Sequence, residues 1–377
     1  MKQAKTAFSS GVSIAMKKLL IGLLTLAMMA CNQSPKDSLE IIQIDVNSAN
    51  HMKGEAFAKD FHFVKLDTVS EALLSDVSKV LVGEDRLYVL PVMDARVFIF
   101  TKEGKYVNSL RMGQGPGEVR CVYDMKVHNG FLYAFDNYRT IRKYDKDGNY
   151  IEDVYTRNEF NLLMEFEQNQ LLLFEPYMNP GQKHLVTVVT QDTILHHFPK
   201  HSGNQSPFFF NQFYSNGYIS WPMCDTIYHY DVQQMMPSPK YVVKFEHPNV
   251  YDLMNDEMIT PERWNKIVSD NHYCKWIHGT EVYDNKLFFA FKYDKPYYVK
   301  HSQGNTRIYS TLIEGLPDLK TGIKGKDGKR MIYAFSMVNL MEYKEAMDEI
   351  PEGKLQELYA QVTDEEDNPI LVFVTLE

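Results

Sequence analysis

The residues with the most chemical promise are Gly113-Gln114-Gly115-Pro116-Gly117-Glu118, which follow a strand-like run. A glycine-rich turn after a strand can cradle a phosphate with its backbone N–H groups. The dinucleotide fingerprint, however, needs a glycine where Glu118 stands and a helix beyond it, and the triphosphate loop needs a Lys-Ser/Thr ending. Neither is present. Three glycines around one proline suit a tight connection in which φ must be positive. Gln114, Glu118, Arg120 and Arg139 are a candidate rim for a polar ligand; the competing reading is that they cap the turn and form surface ion pairs of small value.

His196, His197 and His201 invite a metal reading, but their spacing matches no structural zinc pattern and no cysteine or acid pair accompanies them. His62, His128, His229 and His278 are scattered widely enough to meet on one axis in a fold that assembles its centre from distant segments. No metal or cofactor is assigned on this basis, and a calcium or zinc ion in a central channel stays open. There is no Gly-x-Ser-x-Gly elbow for a serine nucleophile. Paired carboxylates for glycoside cleavage cannot be picked out by spacing in such a fold.

The elements that position these residues are repeated. Arg86-Leu87-Tyr88-Val89, Val97-Phe98-Ile99-Phe100 and the turn Thr101 to Tyr106 return as Phe131-Leu132-Tyr133-Ala134, Ile141-Arg142-Lys143-Tyr144 and the turn Asp145 to Tyr150. Leu87 and Leu132 lie 45 residues apart, and Gly104 and Gly148 lie 44 apart. Short strands and glycine-containing hairpins at that period predict the blades of a propeller. Blade one spans about Val77 to Leu110 and blade two about Val122 to Tyr155, with weaker groups at 162–198, 208–245 and 276–313.

The last group has Arg330 to Phe335 and Ile370 to Val374 as strands, a helical run from Leu340 to Gln361 between them, and one strand too few. Phe61 to Leu66 is the strand without a partner at the other end. The prediction is an all-β, six-bladed propeller over 61–377, with the N-terminal strand closing the last blade and one C-terminal helical insertion. The insert from His247 to Asn271 carries a second helix start at Pro261, capped by Thr260. Lys324-Gly325-Lys326-Asp327-Gly328-Lys329-Arg330 reads as a glycine-containing hairpin with a solvated tip.

Composition agrees. With 24 Tyr and 22 Phe the chain is rich in flat, β-favouring side chains. The formal charge is −9, and near −13 without Lys2, Lys5, Lys17 and Lys18, so a nucleic-acid partner is not expected. Cys121, Cys224 and Cys274 permit at most one internal disulfide, so no disulfide framework holds the fold. Lys17-Lys18 followed by the apolar run Leu19 to Ala30 reads as a secretory signal over 1–30, too short to span a membrane. Residues 31–60 read as a tether.

Met28-Met29-Ala30-Cys31 resembles a bacterial lipobox, with Met28 in place of the usual leucine. Together with the GxGPGE element at 113–118, the repeat residues Leu132-Tyr133, Tyr144-Asp145 and Gly148, and the ending Asn368-Pro369-Ile370-Leu371-Val372-Phe373, the chain resembles the six-bladed β-propeller lipoproteins common in Bacteroidetes. Blade one departs from the repeat with Pro91 where blade two has Asp136. The resemblance implies acylation of Cys31 and a place in the cell envelope, anchored in the outer membrane; Asn32-Gln33-Ser34-Pro35-Lys36-Asp37 lack the acidic run that resembles surface-export signals of such lipoproteins, so the expected facing is periplasmic. It also implies kinship with NHL-type propellers, which include binding modules and a few lyases. The first functional expectation is a non-enzymatic module binding a peptide, glycan or envelope protein. Its rivals are a metal-dependent lyase or hydrolase with a site in the central channel, and a structural subunit of an envelope complex.

Overall fold

The structure is a computed structural model that describes residues 39–48, 56–58, 60–137, 139–156, 163–174, 186–197, 214–220, 224–253, 261–317 and 322–376. The chain divides at Glu40/Ile41, and the propeller blades lie in Ile41–Glu377. Cys31, His201 and the segment read as a signal lie outside the described residues.

Six antiparallel sheets follow one another along the chain. Blade one is Val77–Val82, Arg86–Pro91, Phe98–Thr101 and Tyr106–Ser109, and blade two is Val122–His128, Phe131–Asp136, Thr140–Tyr144 and Tyr150–Thr156. Blade three is Leu163–Glu167, Gln170–Phe174, Val186–Val189 and Ile194–His197. Blade four has Tyr214–Ser215, Tyr218–Ile219, Thr226–Asp231 and Met236–Phe245; the strand expected at Phe208 to Phe213 lies outside the described residues. Blade five is Lys275–Tyr283, Lys286–Lys292, Pro296–Ser302 and Asn305–Tyr309. Blade six takes Gly325–Asp327, Arg330–Phe335 and Ile370–Thr375 from one end of the chain and Phe61–Lys65 from the other. The closing register sets Phe61 against Val374, Phe63 against Val372 and Lys65 against Ile370, as the unpaired N-terminal strand predicts.

A blade is buried on both faces, which is why its strands are nearly continuous in apolar residues. Alternate side chains go opposite ways. In blade one Leu87 and Val89 pack with Ile332 and Phe373 of blade six, while Tyr88 and Leu90 pack with Met125 and Ala134 of blade two. Each of the remaining interfaces between neighbouring blades has its own cluster, so the core is a ring of wedges.

Two regions differ in detail from the sequence reading. Glu40–Ile44, inside the stretch read as a tether, is instead an outermost fifth strand on blade four, with Ile42 and Ile44 buried and Ile41 exposed. Its five residues carry too little pattern to be recognised without their distant partner. The helical run after blade six's second strand divides into Met337–Glu345, capped by Ser336, and Lys354–Ala360. Pro351 has no N–H to continue a helix, and Gly353 adopts φ 88°. Met337, Leu340, Leu358 and Tyr359 from this insertion seal the cluster between blades five and six. Pro261–Ser269 is helical as expected, and its expected cap Thr260 lies outside the described residues.

Candidate functional site

The first strand of each blade is the inner one. The inner strands of blades six and one, one and two, two and three, and four and five touch directly. Each follows an interblade connection and ends in a tight hairpin, so all six hairpins share one face. Asn129-Gly130 and Asn216-Gly217 show the positive φ at both central residues that such two-residue turns require.

Between these strands lies a cavity of about 280 Å³, walled by residues of blades one, two, three, four and six. Its polar side chains form a belt that crosses from blade to blade. Lys79 of blade one bonds Asp124 of blade two; they are 5% and 1% exposed. Asp124 also accepts from the backbone N–H groups of Met125 and of Met164, each at 2.8 Å, which brings in blade three. Lys126 pairs with Glu165, and the Tyr214 hydroxyl of blade four donates to Glu167 of blade three. The Ser215 hydroxyl donates to Glu281 of blade five, which is 3% exposed. Lys326 of blade six closes the belt with bonds of 2.7 Å to Ser215 Oγ and 3.0 Å to Asn216 Oδ1, and lies 3.6 Å from Glu281. Between blades six and one the link is backbone: Val80 N–H donates to the Lys324 carbonyl at 2.7 Å.

Burial and charge pull the lysines apart. Burial pushes the Lys79 ammonium down to about 8 in spite of Asp124 beside it. Lys126 is also penalised by burial, but Glu165 and Asp124 hold it above its ordinary value. Burial lowers Lys324 as well, opposed by the charge of Asp76, and this residue is 8% exposed at the cavity wall. His278, whose Nδ1 lies 2.7 Å from the Trp276 carbonyl oxygen, is pushed down by burial and further by the Lys324 charge.

The glycine loop is built for its own closure. Glu118 turns inward, its Oε2 accepting from Gly115 N–H at 2.8 Å and filling the space that a Cβ at Gly113 would need. Tyr144 donates its hydroxyl to the Gly117 carbonyl at 3.1 Å, and Asp136 accepts from the N–H groups of Arg120 and Cys121. Gln114, Arg120 and Arg139 are exposed on the loops flanking blade two's inner and second strands. The histidines stand apart. His62 stacks on Phe373 on the outer strands of blade six, His128 stacks on Phe166, and His229 meets Tyr218 edge-on within blade four. His196 Nδ1 lies 3.1 Å from Thr187 Oγ1. Among the described residues no group of three or more His, Cys, Asp or Glu is placed to hold a metal ion.

The channel lysines and acids are the site residues that motif reading misses. A signal was there: charges interrupt otherwise apolar strands at alternate positions, as in Asp124-Met125-Lys126 and Glu165-Phe166-Glu167, and Lys79 and Asp124 stand 45 residues apart, at the period of the repeat itself.

The family described as a domain of unknown function, DUF4934, matches residues 39–375. The chain belongs to the DUF4934 family. The match begins one residue before Glu40–Ile44 and ends with the last residue of Ile370–Thr375, so the DUF4934 domain includes both the fifth strand of blade four and the closure of blade six. Among solved structures, a Bacteroides fragilis protein named as exported superposes with a TM-score of 0.71 at 19% identity, covering 90% of this chain and 100% of that one. A member of the duf4221 family from Bacteroides vulgatus gives 0.51 at 12% identity, covering 86% and 98%. These likenesses concern the fold, and they agree with the six-bladed propellers of Bacteroidetes that the DUF4934 sequence resembles. No curated protein matches the chain.

Proposed function

We propose that the chain is an envelope-tethered binding module that takes its ligand, a peptide, a glycan or part of a partner protein, at the central channel. The observation that carries this reading is the cavity itself. Polar and charged side chains from five blades converge on about 280 Å³ of space, carried by the inner strands and the residues next to them. Preorganised polar groups in a concave, partly apolar wall are what small binding sites are made of. Gln114, Arg120 and Arg139 are exposed at the end of blade two opposite the hairpin beside Lys126 and Val127, so they form a polar surface separate from the cavity wall. The tether is the acylated Cys31, in an outer membrane and facing the periplasm. The basic-then-apolar segment before that cysteine supports export, as does a fold neighbour named as exported.

Plugging the channel tests the site. In a thermal-shift screen of envelope peptides and glycans, a true ligand raises the melting temperature of the wild type by mass action. Val127→Trp, at a position that lines the cavity and packs against the core between blades one and two, loses that shift when each protein is compared with its own ligand-free melting temperature. Equal shifts in both proteins would move the binding site elsewhere, and turnover of a ligand would replace the binding reading with an enzymatic one. For the tether, Cys31→Ser is expected to shift the protein from the membrane to the soluble fraction; retention on membranes would remove the lipid anchor from the proposal.

A further inference from the structure

We infer that Lys324 anchors a site in the channel for the carboxylate of a small organic monoanion. This rests on the proposal that the channel binds a ligand, and it names the ligand's chemistry.

The argument starts from charge pairing. Lys79 has Asp124, Lys126 has Glu165, and Lys326 has Ser215, Asn216 and Glu281. Lys324 is buried to a similar degree, 8% exposed, and lines the same cavity. Yet no hydrogen bond or ion pair to its ammonium is found among the described residues. Its charged neighbour Asp76 acts on it only through space and is itself exposed, and the titratable His278 is held towards its neutral form. A desolvated cation without a counter-ion is strongly unfavourable. Here Lys324 lines an open cavity, where an anion that reaches the ammonium supplies the missing partner and a charge-assisted hydrogen bond.

The surroundings select among anions. Among the described residues Lys324 is the one wall lysine without a hydrogen-bonded or ion-paired partner, and a monoanion meets it with a single charge. A phosphate dianion would bring a second charge towards Glu165 and Glu167, which share the cavity wall. The rest of the wall includes Leu81, Val82, Val127 and Phe166, which suit a hydrocarbon body. The cavity is slightly smaller than the range of about 300–1,000 Å³ usual for drug-sized ligands. A compact molecule with one carboxylate and a short apolar body fits all of these conditions.

The test uses the full chain, extracted in neutral detergent, and calorimetric titration with straight-chain monocarboxylates of increasing length, each beside its primary amide. The expected result is saturable binding that tightens with chain length and is absent for the amides. Lys324→Met weakens it about tenfold to a hundredfold, the usual worth of a hydrogen bond to a charged group. Lys324→Arg, which keeps the charge, retains most of it. Should Lys324→Met fail to fold, the amide series and Lys324→Arg still decide. Amides binding as well as acids, wild-type affinity in Lys324→Met, or equal binding of inorganic phosphate would each overturn the assignment. If Val127→Trp abolishes the shift from an envelope ligand while no carboxylate binds, the channel reading stands and the carboxylate falls alone.

Discussion

Asp124→Ala is expected to cost about 3–5 kcal/mol of folding stability, the range seen when one partner of a buried ion pair is removed. The carboxylate ties three blades together at once through Lys79, its own blade's Met125 N–H and blade three's Met164 N–H. Removing it strands an ammonium that is 5% exposed and deprives two backbone donors of their acceptor. Urea unfolding measures the effect. The double variant Lys79→Met with Asp124→Leu should recover much of the loss, since an apolar pair can replace a buried ionic one, but not all of it, because the Met125 and Met164 N–H groups still lack the Asp124 acceptor. A loss below about 1 kcal/mol for Asp124→Ala would mean that the belt is not what holds these blades together.

The same pair has a pH signature. Lys79 titrates near 8 in the folded protein against an ordinary 10.5, so between these values the unfolded chain binds more protons than the native one. The penalty for the buried charge is then fully present below about pH 8 and fades as pH rises towards 10.5. In wild type relative to Lys79→Met, stability should therefore improve from pH 8 to pH 10; comparing the two proteins cancels the tyrosines and cysteines that titrate in both. A flat difference would show that Asp124 keeps Lys79 fully charged throughout.

Much of the architecture was legible because it is written in local alternation. Leu87, Tyr88, Val89 and Leu90 must all be apolar when a strand is buried on both sides, and the recurrence of that run at Leu132 marks the blade. Phe61 to Lys65 could be assigned to blade six by counting strands. The channel was hidden for the opposite reason. Lys79 finds its partner one repeat later, but Ser215 and Glu281 meet across 66 residues, so the repeat period joins the first pair and not the rest of the belt. The basic cluster at 324–330 shows how context divides a motif: Gly328 and Lys329 are the solvated hairpin tip that was expected, whereas Lys324 and Lys326 turn to the cavity because they begin an inner strand.

That inner strand also closes the ring, and Gly325→Ala should show how tightly. A Cβ at this position would lie 1.9 Å from the Val80 carbonyl oxygen and 3.0 Å from the Val80 carbonyl carbon. Backbone atoms of a paired inner strand cannot swing aside as a side chain can, so blades six and one would have to part. The 2.7 Å bond from Val80 N–H to the Lys324 carbonyl would lengthen or break with them. Overpacking together with a weakened hydrogen bond predicts a loss of about 2–4 kcal/mol. Gly130→Ala is the matching control, because nothing lies within 4 Å of its Cβ and only its positive φ is strained, a cost of about 1 kcal/mol. Hydrogen exchange of the Val80 amide separates local parting from general weakening: it should lose protection in Gly325→Ala and keep it in Gly130→Ala. Since Lys324 is the adjoining residue, a seam opened at Gly325 also displaces the proposed anchor, and carboxylate affinity should fall together with Val80 protection. Stability and protection unchanged in Gly325→Ala would mean that the two inner strands have room to separate, and that the channel is held by its side-chain belt alone.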